Sequence, residues 1–411
     1  MREPVLIAGA GPVGLVLALL LHERGLSARV YESVTELRPL GVGINLLPHS
    51  VRVLHELGLE AELDSVAIRT GALHYYNKLG QRIWEEPRGL EAGYQYPQYS
   101  IHRGELQLLL LREVQARLGQ DAVHTNQRLT AWRETGETLT AEFVDADGNS
   151  TAVTGSALVA ADGINSTARR LLYPAEGPPI YGGRLLWRGV SEAAPFLDGR
   201  TMFMAGHQNC KFVAYPIASR GSRALINWIA ELSVPDYRLD TQDWSRQVEK
   251  SVFRGPFENW RFPWLDILAL IDACERVYEF PLADRDPLPA WTRGHMTLIG
   301  DAAHPMYPIG SNGASQGILD AETLARELAR PQSLVAALAA YEAERRPATA
   351  RIVLLNRQNG PEQVMQIAEE RAPQGFEDIH TVIPRQELEE IAARYKQTAG
   401  FTVAAVNTPN K

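Results

Sequence analysis

The fold is decided by the segment VLIAGAGPVGLVLALLLHERGLSARVYE, residues 5 to 32. It reads as an apolar strand, a glycine-rich turn, a helix and a second strand that ends in an acid. Gly9, Gly11 and Gly14 have the spacing that allows a tight turn, close approach of the backbone to a pyrophosphate, and close packing of helix on strand. Glu32 stands where a carboxylate accepts hydrogen bonds from both hydroxyls of a ribose. The segment therefore predicts a site for an adenine dinucleotide with an unphosphorylated ribose, such as FAD or NAD.

A membrane span or a signal peptide is the alternative reading of this segment, because residues 5–21 carry no charge. The run is shorter than the ~20 residues that a span needs, and it is interrupted by glycines and a proline. Only Arg2 supplies a basic flank. We therefore expect no membrane association.

The composition limits the number of domains, the kinds of partner and the cellular location that can be expected. At 411 residues the chain exceeds the size at which single cores stop growing, so two domains are expected. Acidic residues outnumber basic ones by 49 to 41, and no basic block stands out, which argues against a nucleic acid partner. Cys210 and Cys274 lack the paired spacing of a disulfide framework or a zinc site. The sequence thus predicts no metal site and a reducing, cytoplasmic location.

Two later segments narrow the dinucleotide to FAD. In residues 158–170, LVAADGINSTARR, a strand ends in Asp162, and in residues 296–325 another strand ends in Asp301 before a glycine-bearing loop and a helix. An aspartate at the carboxyl edge of a strand is placed to accept a hydrogen bond from a ribitol hydroxyl. The start of the next helix can bind a phosphate or the pyrimidine edge of a flavin. Either aspartate could instead cap the helix that follows it.

Together these motifs resemble the FAD-dependent aromatic hydroxylases of the para-hydroxybenzoate hydroxylase type. The resemblance covers nearly the whole chain and is carried by GAGPVG at 9–14, Glu32, IHRGELQ at 101–107, ADG at 161–163 and GDAAHPMYPIGSNGAS at 300–315. It is specific, because separated motifs appear in the right order. Within the family, GVGINLLPHSVRVLHELGL, WRGV and GSNGASQGILDA are most similar to phenazine hydroxylases of the 5-methylphenazine-1-carboxylate 1-monooxygenase type. That branch also shares Asn312 and Ser315, where many relatives carry Gln and Asn.

The turn motif and the resemblance imply a set of cofactor-binding residues. In the family, the residue matching Asp301 contacts the ribitol and diphosphate region, the one matching Arg103 contacts the diphosphate, and Gly43 with Ile44 matches the loop beside the flavin ring. Arg103 could instead form a surface ion pair with Glu105. The full predicted set is Gly9, Gly11, Val13, Gly14, Glu32, Gly43, Ile44, Arg103, Leu129, Asp162, Asp301, Gly313, Ala314 and Ser315.

The implied fold is α/β. A Rossmann-like FAD-binding domain of the glutathione-reductase type is interrupted by a smaller, mixed-sheet substrate domain and followed by C-terminal helices. The predicted bounds are 1–70, 98–180 and 276–360 for the FAD-binding domain, 71–97 and 181–275 for the substrate domain, and 361–411 for the extension. Docking across a homodimer contact is one interpretation of that extension.

The resemblance implies an FAD-dependent monooxygenase that hydroxylates an aromatic or heteroaromatic small molecule, with decarboxylation if the target carbon bears a carboxylate. No second GxGxxG unit follows the first, which argues against a reductase with two dinucleotide-binding domains. The resemblance implies that NADH or NADPH binds transiently as reductant and that O2 then forms a flavin C4a-hydroperoxide. No HExxH or Walker A motif is present, and no catalytic residue is assigned. An FAD oxidase or dehydrogenase, and a non-catalytic flavin-bearing protein that binds an aromatic compound, stay open as alternatives.

One face of the second sheet should line the substrate cavity. The predicted substrate contacts on its strands are Arg188, Tyr215 and Trp228, with Trp187 and Asn227 as further candidates. The aromatic residues could instead be core, and Arg188 could form an interdomain ion pair. His304 lies in an apolar loop, where a structural histidine is a better interpretation than a proton donor.

Overall fold

The structure is a computed structural model that describes residues 3–39, 41–238, 246–358, 360–398 and 400–408. In chain order its strands are β1 (Val5–Ala8), β2 (Ala28–Tyr31), β3 (Gly43–Leu46), β4 (Ala67–Thr70), β5 (Ala72–Tyr76), β6 (Arg82–Pro87), β7 (Gln98–His102), β8 (Val123–His124), β9 (Arg128–Thr135), β10 (Thr138–Val144), β11 (Ser150–Gly155), β12 (Ala157–Ala160), β13 (Ile180–Ala193), β14 (Thr201–His207), β15 (Cys210–Arg220), β16 (Arg223–Ser233), β17 (Gln247–Val248), β18 (Val277–Asp284), β19 (Thr292–Arg293) and β20 (Met296–Leu298). Its α-helices are α1 (Pro12–Glu23), α2 (Pro48–Glu56), α3 (Glu60–Val66), α4 (Arg103–Leu118), α5 (Thr167–Leu172), α6 (Ile267–Asp272), α7 (Gly313–Ala329), α8 (Leu334–Asn356), α9 (Gln363–Arg371), α10 (Arg385–Thr398) and α11 (Val403–Asn407).

A six-stranded sheet forms around the glycine-rich segment. Its strand order is β19-β20-β12-β1-β2-β8, and all neighbours except β19 and β20 pair in parallel. All four residues of β1 are buried, and α1 packs against α4 and α7. Parallel strands point their carboxyl ends at one edge, which is where ligands bind in open α/β sheets. The predicted α/β, Rossmann-like fold is confirmed.

The second large sheet has eight strands in the order β17-β18-β13-β16-β15-β14-β5-β6. It is mixed, because β5 pairs in parallel with β14 while the other pairs are antiparallel. One face carries an aromatic core that α6 helps to cover, and the other face packs toward β3 and the C-terminal helices. Strand β18 belongs to this sheet, so the sheet continues past the predicted boundary at residue 275.

The helical segment that follows the loop of Asp301 is divided into two helices, α7 and α8. Pro331 separates them. A proline pushes the residue before it out of the helical region, and Arg330 is accordingly extended, with φ −71° and ψ 151°. Ser333 then caps α8 by accepting a hydrogen bond from the amide of Ala336 at 3.2 Å.

The C-terminal extension packs on its own chain. Leu388 and Ile391 of α10 are buried in one core with Met202 and Met204 of β14. The Tyr94 hydroxyl donates a 2.5 Å hydrogen bond to the carbonyl of Phe401. Among the helices in the described ranges, none combines the length and apolarity that a membrane crossing requires.

Candidate functional site

The carboxyl ends of four strands bring the separated motifs to one edge. The glycine turn follows β1, Glu32 follows β2, Asp162 lies just beyond β12, and Asp301 follows β20. Because β20, β12, β1 and β2 are consecutive parallel neighbours, these groups line a continuous stretch of that edge. Motifs that are far apart in the sequence therefore lie side by side on one surface.

The glycine turn has the shape of a phosphate cradle. Gly9 has φ +110°, and a Cβ there would lie 2.4 Å from the carbonyl oxygen of Ala161. A Cβ on Gly14 would lie 2.1 Å from the carbonyl oxygen of Gly9, whereas a Cβ on Gly11 would meet nothing within 4 Å. Gly11 thus faces open space directly before the first turn of α1, where the amide groups are free to bind an anion.

Glu32 is fixed against this turn. Its Oε2 accepts a 2.8 Å hydrogen bond from the amide of Ala10, and its Oε1 accepts one of 3.0 Å from Val34. The amide of Gln127 donates to the carbonyl of Glu32 at 2.7 Å, which places β9 beside the end of β2. Leu129, in β9, is 3% exposed, so only its main chain is suited to a ligand contact.

Asp162 caps a helix and keeps one acceptor unused. Its Oδ2 accepts a 2.8 Å hydrogen bond from the amide of Thr167, so the capping alternative is present in the structure. Its Oδ1 is buried and has no hydrogen-bond partner among the described residues. Burial raises the pKa of Asp162. An orphaned acceptor at this edge fits a ligand hydroxyl.

Asp301 is exposed, in a short 3-10 turn that begins at Gly300. A Cβ on Gly313, at the start of α7, would lie 4.0 Å from Asp301 Oδ1, so the helix N-terminus and this carboxylate adjoin. Val13 packs between the two segments, since a Cβ on Gly317 would lie 2.5 Å from its side chain. The cradle, the orphaned acceptor and this carboxylate together fit FAD. Arg103 is also exposed, at the first residue of α4.

Strand β3 is held by side chains of the eight-stranded sheet. The amide of Gly43 donates to Asn227 Oδ1 at 2.7 Å. The carbonyl of Gly43 accepts from Arg188 Nη2 and from the Tyr215 hydroxyl, each at 2.9 Å. Two predicted substrate contacts, Arg188 and Tyr215, therefore bind the main chain beside the predicted flavin position. Ile44 next to them is partly exposed.

Trp228 faces the other side of the sheet. It is fully buried, its Nε1 donates to Ser191 Oγ at 2.9 Å, and its ring stacks on Phe212. Trp187 lies in the same aromatic core and stacks on Phe253. Both tryptophans are therefore core residues, in agreement with the alternative interpretation of the sequence.

Ser315 ties α7 to β3. Its Oγ accepts hydrogen bonds from the amide of Leu47 at 3.0 Å and from Ser50 Oγ at 2.9 Å. Ser315 lies in GASQG, residues 313–317, which matches the letters of a nucleophile elbow. Its side chain is fully buried and follows a 3-10 turn rather than a strand, so that chemistry does not apply. Gly313 and Ala314 begin the helix and leave its first amides toward the site.

His304 belongs to a buried ionic network. Its Nε2 lies 2.5 Å from Asp320 Oδ2, which also accepts from the amide of Gly300 at 3.1 Å. Arg345 Nε donates to Asp320 Oδ1 at 2.7 Å. Burial acts to raise the pKa of Asp320, but the opposing effect of His304 and Arg345 is larger. The net result is a lowered pKa, so the carboxylate stays charged. The network anchors the Asp301 turn to α7, as expected for a structural histidine.

His49, which sequence reasoning did not single out, lies in α2 directly after β3. It is 5% exposed, its ring stacks on Phe401 at 5.5 Å, and neither ring nitrogen has a hydrogen-bond partner among the described residues. Burial, with Arg345 and Arg52 nearby, lowers its pKa to about 3. His49 is therefore neutral in the folded protein at neutral pH.

This neutral histidine should make stability depend on pH. An unfolded histidine titrates near 6.5, so the unfolded chain gains a proton as the pH falls below that value while folded His49 does not. We expect the free energy of unfolding to fall by roughly 2 kcal/mol from pH 7 to pH 5 through this group alone. Urea titrations of His49→Phe, which keeps a ring against Phe401, should show a shallower decline than the unaltered protein. Identical slopes would contradict the assignment.

A small cavity of about 20 Å³ lies between the eight-stranded sheet, the loop before α7 and the C-terminal helix α10. Part of its wall is apolar or main chain, contributed by Leu47, Leu73, Met202, Met204, Gly310 and Ser311. The polar part of the wall includes Tyr75, Glu86, Arg88 and Lys396. Sequence reasoning missed this polar group, because its members lie in separate segments without a motif. Such a volume holds little more than one water molecule, so an aromatic ligand requires the walls to move apart.

Within the described ranges, no cluster of three His, Cys, Asp or Glu side chains has the geometry of a metal site. The two cysteines are free, and Cys274 is buried.

Comparisons with known proteins agree on one family. A family model described as FAD binding domain matches residues 2–229 and 273–355. The chain is 44% identical over 366 residues to the phenazine 1,6-dicarboxylic acid hydroxylase of Lysobacter antibioticus, covering 87% of this chain and 89% of that protein. It is 32% identical over 375 residues to a 3-amino-4-hydroxybenzoate 2-monooxygenase of Streptomyces platensis, covering 88% of each.

Solved structures show the same fold. The structure of Klebsiella pneumoniae HpxO in complex with FAD and uric acid superposes with a TM-score of 0.76 at 21% identity, covering 98% of this chain and 96% of that one. A fold match over nearly the whole of both chains indicates that the two sheets and the C-terminal helices are shared features.

Proposed function

The chain belongs to the family of FAD-dependent aromatic monooxygenases, and from this we propose that it hydroxylates a phenazine carboxylate, or a closely similar heteroaromatic acid, with NADH or NADPH as the reductant. The observation that carries the proposal is the high identity to the Lysobacter antibioticus enzyme, which is named for a phenazine dicarboxylic acid. The Streptomyces platensis relative is named for an aminohydroxybenzoate, which supports an aromatic acid as the wider class. If the hydroxylated carbon bears the carboxylate, decarboxylation accompanies the reaction.

The residues at the sheet edge would hold FAD. The Gly9 to Gly14 turn and the start of α1 would bind the diphosphate, Glu32 the adenosine ribose, and Asp301 with the start of α7 the ribitol and the flavin. When bound, FAD supplies the redox chemistry, accepting a hydride and then activating O2 for transfer to the ring. Arg103 is placed at the surface, where its charge would complement the diphosphate.

The protein's own part is to position the ring and exclude water. Arg188, Tyr215 and Asn227 fix the main chain of Gly43, and through it the predicted flavin-side strand. The cavity adjoins that strand's end at Leu47 and the loop at Ser311. A small space with an apolar wall leaves little room for water, and it would accept an aromatic ring once its walls move apart. A dedicated acid or base is not required when the cofactor carries the difficult step.

The proposal is tested with the FAD-loaded protein, phenazine-1-carboxylate and isotopically labelled O2. The acid should accelerate the oxidation of NADH or NADPH, and mass spectrometry should show one labelled oxygen atom in the product. Peroxide without an oxygenated product would indicate an oxidase instead. Binding of the acid without any flavin reduction would indicate a non-catalytic binding protein.

Two carboxylates should control the retention of FAD. Asp301→Ala and Glu32→Ala each remove an acceptor assigned to a cofactor hydroxyl, and each should weaken FAD binding about 10- to 100-fold. Asp301 is exposed, so its variant should leave the unfolding free energy of the apoprotein within about 0.5 kcal/mol. Flavin fluorescence titrations of the apoprotein measure the affinity, with Glu137→Ala, an exposed acid in the β9–β10 turn, as the control. Full flavin retention in both variants would refute the placement of the cofactor.

A further inference from the structure

We propose that Arg88 and Lys396, arranged around Glu86, bind the carboxylate of the aromatic substrate and so select acids over neutral rings. The inference rests on the proposed function and extends it to the residues that determine substrate charge. It concerns the polar part of the cavity described above.

The three charged groups meet at one carboxylate oxygen. Glu86, near the end of β6, is 3% exposed. Its Oε2 lies 3.0 Å from Lys396 Nζ and 3.5 Å from Arg88 Nη2. Two cations thus share one anion, and the group carries a net charge of +1, with Glu86 buried and the Lys396 side chain 26% exposed. The positive charge in excess of Glu86 attracts an anion, and one substrate carboxylate would neutralise it.

Several hydrogen-bonding atoms of this group are unused. Arg88 Nε, Glu86 Oε1 and the Tyr75 hydroxyl are buried and have no hydrogen-bond partner among the described residues. Tyr75 is 0% exposed and lines the cavity. Leaving a buried donor unpaired costs about 1–3 kcal/mol. A carboxylate would accept from both donors, and a guanidinium is well shaped to bind one.

The ionisation states favour an anion. Burial acts to lower the pKa of Arg88, but Glu86 raises it above its usual value, so the guanidinium is charged. Burial acts to raise the pKa of Glu86, but Arg88 and Lys396 lower it, so Glu86 is charged as well. Burial and Glu86 raise the pKa of Tyr75, which keeps its hydroxyl protonated as a donor.

The cavity also explains how the ring would be oriented. Met202 and Met204 supply flexible apolar side chains along the wall, and Gly310 with Ser311 supplies main chain from the loop before α7. Once the walls have moved apart, an acid whose carboxylate lies at Arg88 would therefore place its ring along these side chains, toward the predicted flavin site.

The test uses FAD-loaded protein and a matched pair of ligands, phenazine-1-carboxylate and phenazine-1-carboxamide, with affinities from calorimetry. Arg88→Gln and Lys396→Gln should each raise the dissociation constant of the acid about 10- to 100-fold and change that of the amide less than about threefold. Glu86→Gln removes the competing anion and should bind the acid more tightly. Arg385→Gln, an exposed arginine of α10 paired with Glu389, is the control and should change neither constant.

The outcomes separate this inference from the proposed function. If the unaltered protein hydroxylates the acid but Arg88→Gln and Lys396→Gln lower acid and amide binding equally, the charge assignment is overturned while the function stands. If the unaltered protein binds and hydroxylates neither compound, both are overturned. Should the two cation variants lose FAD or fail to fold, the Glu86→Gln measurement decides, because unchanged or weaker acid binding there contradicts the assignment.

Discussion

Replacing Gly14 by alanine is expected to destabilise the protein by about 3 kcal/mol or more and to abolish FAD binding. The added Cβ would lie 2.1 Å from the carbonyl oxygen of Gly9, a separation that real Cβ atoms do not tolerate. The contact is with main chain rather than with a flexible side chain, so α1 must shift away from β1. Both elements belong to the central core, and the cradle is lost with them.

Gly11→Ala is the matched control, because it adds the same atom to the same turn. Gly11 has φ −69°, which any residue adopts, and its Cβ would meet nothing within 4 Å. The apoprotein should therefore keep its stability within about 0.5 kcal/mol, while the Cβ obstructs the face where the diphosphate approaches. Urea unfolding of the apoproteins and flavin titration measure the two effects. Equal stability of the two variants, or normal FAD affinity of Gly11→Ala, would contradict the cradle geometry.

Asp320→Asn is expected to cost about 3–5 kcal/mol of unfolding free energy. Asp320 is 0% exposed and is the carboxylate that neutralises Arg345, whose guanidinium would be left buried with a neutral partner. The same substitution weakens the bonds from His304 and from the amide of Gly300. Because those bonds hold the turn that carries Asp301, the temperature at which FAD is released should fall with the stability.

The control for this variant is Glu344→Gln on α8, an exposed carboxylate that pairs with Arg326. Exposed ion pairs contribute little, so a change below about 1 kcal/mol is expected. The pKa of Asp320 is lowered in the folded protein, so its contribution is present at neutral pH and is lost as the pH falls through that lowered value. The difference in stability between Asp320→Asn and the unaltered protein should consequently narrow in acid. A constant difference would show that the lost bonds are not ionic.

The sheet edge at which these motifs meet could be predicted because its signals are local. Gly9, Gly11 and Gly14 encode the turn through their spacing, and Glu32, Asp162 and Asp301 each follow a short apolar strand. The parallel α/β arrangement then dictates that such strand ends meet. The prediction needed no knowledge of which side chains touch, only of where strands end.

The cavity could not be predicted in the same way. Glu86 and Arg88 are two residues apart, but Lys396 of α10 reaches Glu86 only through tertiary packing, and no motif marks these residues in the sequence. The position of Trp228 in the aromatic core could not be predicted either, for a different reason. Adjacent strand residues point to opposite faces, so Asn227 and Trp228 cannot both approach β3, and the sequence did not show which face is turned inward.

The contact between Gly43 and Asn227 limits how this protein can diverge. A Cβ at position 43 would lie 2.6 Å from the Cβ of Asn227, so position 43 accepts no larger residue while asparagine stands opposite. A smaller residue at 227 would forfeit the hydrogen bond to the Gly43 amide. We therefore expect homologues to keep both residues, or to replace them together, at this contact between β3 and the eight-stranded sheet.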